Sequence, residues 1–151
     1  MIERFIGRRR SRCIVIALDG VGSTDFRAWA DAVTPTLAAV AHGGASARLA
    51  SPLPPLSAVA WASFATATNP GRHGVFGFTL PDGEYRMTFA SSHSVRVPTL
   101  WDRAAIDGMR SIIVNLPGTY PAQPMSGTLV AGFVAPSLER ACHPPSLAPR
   151  L

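Results

Sequence analysis

Lysine does not occur in this 151-residue chain, whose fourteen basic residues are all arginine. We read that as a coding bias, not as chemistry. Cysteine is nearly absent too. Cys13 and Cys142 lie far apart in sequence, and neither has a neighbour at metal-ligand spacing, so no cysteine-built metal centre is expected. Cys13 opens an apolar run and reads as a small core residue. A disulfide is not expected in a reducing compartment. No apolar run is long enough to cross a membrane. The run Cys13–Leu18 is also too short for the core of a secretory signal, and a twin-arginine signal fails on the same count. The sequence therefore places the chain in the cytoplasm. There is no internal repeat. Glycine and proline fall between periodic segments, so there is no low-complexity block.

Acidic residues number nine against fourteen basic ones, and the surplus is local. Arg4, Arg8, Arg9, Arg10 and Arg12 stand against Glu3 alone, which accounts for four of the five formal positive charges. The rest of the chain is close to neutral. Residues 1–12 read as a basic, solvated and frayed tail. A tail that touched nucleic acid or an anionic membrane would bind with steep salt dependence; neither partner is expected. Residues 13–151 read as one domain, and a chain of this length buries roughly 68–70% of its unfolded surface.

The stretch SPLPPLSAVAWASFATATNPGRHGVFGF, residues 51–78, organises the rest. Pro54 and Pro55 push the chain extended. Nothing breaks a helix from Ser57 to Ala67, and Trp61 and Phe64 lie three apart on one face. Asn69-Pro70-Gly71 stops the helix. Ser57 thus stands at or next to a helix N-terminus, where free N–H groups and the helix dipole favour negative charge. A hydroxyl that becomes an alkoxide and carries a phosphoryl group would suit that place. So would an ordinary serine N-cap. A second residue bears on the choice. Cys13–Leu18 (CIVIAL) reads as a buried parallel strand, and Asp19-Gly20 follows it directly. Ligands of open α/β sheets bind at that edge. An aspartate there is a natural ligand for a divalent metal, which is one way to activate a serine.

These segments resemble the type I phosphodiesterase/nucleotide pyrophosphatase family of the alkaline phosphatase superfamily, nearest its branch of phosphohydrolases and phosphomutases. The matching stretches are IVIALDG (14–20), TPTLAAVAHGGASARL (34–49), PPLSAVAWASFATATNPGRHGVFGF (54–78), VPTLWD (97–102), SIIVNLPGTYP (111–121) and GTLVAGFVAPS (127–137). The resemblance implies an alkaline-phosphatase-like α/β fold, a mostly parallel sheet flanked by helices. It implies that Asp19 binds a metal and that Ser57, nine residues before Thr66, is the nucleophile and a metal ligand. It implies a divalent cofactor, zinc, two per site in the complete family domain, and a small-molecule phosphoester substrate. It also implies that His73, in the Asn-Pro-Gly-Arg-His-Gly turn, holds the turn and does not bind metal.

There are departures. The family's Thr-Gly pair is Thr66-Ala67 here, which crowds a close backbone contact. Ala60 stands where the nucleotide-cleaving branch has a phosphate-binding asparagine, which argues against a nucleotide substrate. The family's C-terminal ligands, including an Asp-His-Gly motif, do not occur. The expectation is a truncated N-terminal half whose uncovered sheet edge invites self-association.

The other elements follow from local signals. A polar helix runs through Trp29, and Thr34-Pro35 starts a second over Thr36–His42, ended by Gly43-Gly44. Ala45–Ala50 reads as a second strand, giving β-α-β order. Asp82-Gly83 is a hairpin turn with Tyr85–Phe89 returning, where family members carry an insertion that lines the substrate cleft. Pro98–Gly108 is a helix with Leu100, Trp101, Ala104 and Ala105 as its buried stripe. Ser111–Asn115 and Thr128–Val130 are strands. Asn115, Thr119 and Tyr120 sit in a substrate-facing loop without an assigned role. The functional expectation is a metal-dependent phosphoester hydrolase, phosphodiester or phosphomonoester, incomplete in this chain. The alternative is a catalytically inactive, vestigial domain with at most a binding role.

Overall fold

The computed structural model describes residues 12–151. The expected basic tail lies outside the described residues except for Arg12, which is exposed. The chain divides into two compact units, the first ending at Arg48 and the second running from Leu49 to Leu151.

The first unit is a pair of helices. Helix α1 covers Ser23–Val33 and helix α2 covers Pro35–Gly43. Thr34 joins them and serves both. Its N–H donates to Ala30 O at 2.8 Å, ending α1, and its own carbonyl accepts from Ala38 N–H at 2.9 Å, starting α2. Pro35 at the first position of α2 loses no bond, because that N–H has no helical partner in any case. The Thr34 hydroxyl does not cap α2 as expected; it donates back to Ala30 O at 3.3 Å. Buried Ala30 and Ala38 are the small contact residues of the pair.

Two expected strands are not formed. Cys13–Leu18 and Ala45–Ala50 adopt no strand, and Cys13 is exposed, not a core residue. Ile14 is 88% exposed and Leu49 97%. The reason is that a parallel strand exists only through its neighbours' hydrogen bonds. Among the described residues the first unit has no other strand to supply them. The extended, mostly parallel sheet and the β-α-β crossover are therefore absent among the described residues, and the architecture is mixed α/β with two small sheets.

The second unit carries both sheets. Strands β1 (Thr79–Pro81) and β2 (Met87–Phe89) form an antiparallel hairpin with Thr79 opposite Phe89. The return strand starts two residues later than expected, because Glu84 and Tyr85 hold left-handed φ of 37° and 61° and belong to the turn. Strand β3 (Ser111–Leu116) runs parallel to β4 (Gly127–Ala131), and the short β5 (Cys142–His143) pairs antiparallel on β4's far side. Gly127 is required at the start of β4. It has φ +141°, and a Cβ there would lie 1.8 Å from Ser111 O. Leu129, Ala131 and Ala141 form the buried cluster, with Ile113, Tyr120, Ala122 and Met125 packed against it. The outer edge of β3 carries no strand among the described residues, and Ile112 and Val114 are exposed.

Four α-helices, α3 (Ser57–Thr66), α4 (Pro70–His73), α5 (Leu100–Ile106) and α6 (Leu138–Ala141), and two 3-10 turns, Ser92–Ser94 and Pro145–Arg150, complete this unit. Helix α5 starts two residues later than expected because Thr99 caps it. Asp102 N–H donates to Thr99 Oγ1 at 3.3 Å, and Thr99 N–H donates to Asp102 Oδ2 at 2.8 Å. Its stripe of Trp101, Ala104 and Ala105 is half-buried, while Leu100 is exposed. No described helix is long and apolar enough to cross a membrane.

Candidate functional site

The site is built from the start of α3. Leu56 N–H donates to Pro54 O at 2.9 Å, a tight turn that delivers the chain to the helix. The N-cap is Leu56, extended at φ −115° and ψ 143°, and no side chain caps the helix. The first helical bond runs from Ala60 N–H to Leu56 O at 2.9 Å. Ser57 is therefore the first helical residue, half-buried, and not the N-cap that the ordinary reading of such a serine requires. Leucine brings no polar side chain to the cap, and the start of the helix is biased toward negative charge.

Helix α3 is held from behind by small and polar contacts. Val59 and Thr66 are fully buried, with Ala62 and Ala65 nearly so. Small residues let the helix pack closely. The Thr66 hydroxyl donates to Ala62 O at 2.7 Å and meets Thr68 Oγ1 at 2.9 Å. The helix ends at Ala67, which takes left-handed φ 52° and is exposed. The left-handed torsion is what distinguishes glycine from alanine here. Asn69 then caps α4, accepting from Arg72 N–H at 3.2 Å.

His73 ties this turn to α3. It is fully buried. Its Nδ1 accepts from Val75 N–H at 3.1 Å, and its Nε2 lies 2.9 Å from Ser63 Oγ. An amide can only donate, so Nδ1 is bare and Nε2 carries the ring proton and donates to Ser63. Burial lowers the imidazole pKa from its ordinary value. Both ring nitrogens are committed, so His73 holds the turn, and the Ser63–His73 pair is not a serine with a general base. His143 Nε2 lies 3.1 Å from Met125 O and His42 Nε2 lies 2.9 Å from Asp31. The latter is an exposed pair of small worth.

Asp19 lies in the first unit, exposed in a turn with Gly20 at φ +73°. It does not end a strand, since the run before it forms none. Ser57 lies in the second unit, and each residue is placed within its own unit. Zinc sites take four ligands, three of them from protein in catalytic centres. Among the described residues no group of three or more His, Cys, Asp or Glu could hold a metal ion. The donors present do not fit a complete centre.

Two features were not read from the sequence. Thr119, 6% exposed, donates to Leu116 O at 2.6 Å and accepts from Gly132 N–H at 3.3 Å, fastening the loop after β3 to the end of β4. The Pro-flanked loop, with its single threonine, gave no signal separating this role from an ordinary turn. The second is a cavity of about 420 Å³ within the second unit, with Ala58 and Trp61 of α3 and Trp101 of α5 on its walls. Its walls come from segments far apart in sequence, which no local pattern connects.

The sequence profile of the family described as Type I phosphodiesterase / nucleotide pyrophosphatase matches residues 13–150. No curated protein and no solved structure matches.

Proposed function

The chain belongs to the type I phosphodiesterase/nucleotide pyrophosphatase family, and from that membership we propose that it serves metal-dependent phosphoester hydrolysis with Ser57 as nucleophile and Asp19 as a metal ligand. The observation that carries this reading is the position of Ser57. It opens α3 as the first helical residue behind a leucine N-cap, at the end of the helix that favours negative charge. In the reaction, Ser57 Oγ bonds to phosphorus as the alcohol of the substrate departs. Water then cleaves the Ser57–phosphorus ester, releasing phosphate from a monoester substrate or a phosphomonoester from a diester, and returns the hydroxyl. The first turn of α3 stabilises the negative charge on the phosphoryl oxygens. The substrate is a small phosphodiester or phosphomonoester. Ala60, one turn into the helix, offers no amide side chain to a nucleotide's phosphate.

A divalent metal, zinc by resemblance, is the cofactor this family implies. The described residues do not complete a centre for it, and this favours a second reading, an inactive domain that retains the nucleophile end. Hydrolysis of bis(p-nitrophenyl) phosphate with added zinc separates the two. Turnover that needs metal and is lost in Ser57→Ala supports the first reading. A folded chain that shows no turnover with any divalent metal refutes it.

A further inference from the structure

The cavity in the second unit has the size of a small-molecule pocket, about 420 Å³ against a usual range of about 300–1,000 Å³. Trp61, Ala62 and Ala65 of α3 line one side, and Trp101 and Phe89 line others. Most of its lining is apolar or aromatic. Of its polar groups, the Thr119 hydroxyl serves Leu116 O and Gly132 N–H, and Asp102 Oδ2 serves the Thr99 cap. A ligand here is therefore recognised chiefly by apolar and aromatic contact. A dry cavity of about 150 Å³ takes benzene, so this one has room for a fused pair of rings.

Its position relates it to Ser57. Ser57, Trp61 and Ala65 follow one another four residues apart, along one ridge of α3. Trp61 stands about 6 Å along the axis from Ser57. The hydroxyl thus lies at the N-terminal end of the ridge whose next two members face the cavity.

We propose that this cavity receives the aromatic group of an aryl phosphoester whose phosphorus lies at Ser57. The proposal rests on the reading of Ser57 as nucleophile for the placement of phosphorus, and on the cavity alone for the ring. Calorimetric titration with 1-naphthyl phosphate and with 1-naphthol tests it, together with the indole N–H signals of Trp61 and Trp101. Both probes bind the wild-type chain and shift both indole signals. Ala62→Leu, which fills the cavity, weakens both probes by about tenfold or more. Ala65→Leu is the second filling variant should the first fail to fold. Ser57→Ala keeps 1-naphthol binding. A folded wild-type chain that binds neither probe overturns the proposal, as do folded filling variants that bind as well as wild type. Binding of both probes with the expected losses, but without any Ser57-dependent turnover, leaves the aromatic site standing and removes the nucleophile reading.

Discussion

Replacing Ala67 by glycine should stabilise the protein, and the same replacement seven residues earlier should do the reverse. Ala67 closes α3 at φ 52°. An L-residue held there pays about 1–2 kcal/mol for the contact between Cβ and backbone. Glycine pays nothing for the torsion but loses about 0.4–1 kcal/mol more through the freedom of its unfolded chain. The difference is a net gain of about 0.5–1 kcal/mol. Ala67 is exposed, so removing its methyl opens no cavity. For a chain of this size the gain corresponds to a rise in Tm of about 1–4 °C. Ala60 lies inside the same helix at ordinary helical torsions, and Ala60→Gly should cost about 0.5–1 kcal/mol. Urea titration followed by circular dichroism measures both, with unchanged m-values required for the comparison. Equal or lower stability of Ala67→Gly, with Ala60→Gly destabilised as stated, would show that the left-handed cap does not govern this end of the helix.

The buried His73 makes stability depend on pH. Its folded pKa lies below the ordinary 6.5, so the unfolded chain binds the proton more readily. Its contribution is complete above the unfolded value and is lost as pH falls from there through the folded one. Melting curves from about pH 7.5 to about pH 5 should show this decline, and His73→Asn should flatten it; an equal slope in the variant would refute the assignment. Thr99→Ala removes the hydroxyl that caps α5 and should cost about 1 kcal/mol in chemical denaturation, whereas no loss would mean that Asp102 holds the helix start without it.

Much of the second unit was legible because its signals are local. The two prolines, the small-residue run and Asn69-Pro70-Gly71 bound α3 and its turn where they stand. β3 and β4 fall on the two apolar runs expected of strands, and the resemblance placed His73 in its holding role. Other features depend on partners that no local pattern names. CIVIAL has the composition of a buried strand, but strand structure is a property of a ladder, and its neighbours do not supply one among the described residues. Ser57 fits the N-cap and the first helical position equally well by composition. Only the torsions of Leu56 separate the two. The demand on Ala67 was visible as a departure from Thr-Gly, but the left-handed torsion was not, because a sequence shows a missing glycine without the angle it would have taken.

The free edge of β3 has a consequence for behaviour in concentrated solution. Among the described residues no strand pairs with this edge, and Ile112 and Val114 are 78% and 67% exposed. Proteins commonly guard such an edge with lysine, whose long charged stem makes a second strand lose solvation on arrival. A chain without lysine has no such guard to place there, and β3 itself, SIIVNL, bears no charge of either sign. Arg110, immediately before the strand, is the nearest charge in sequence on that side. A second uncharged SIIVNL segment laid along this edge would therefore meet no charge of the strand itself, only Arg110 at its beginning.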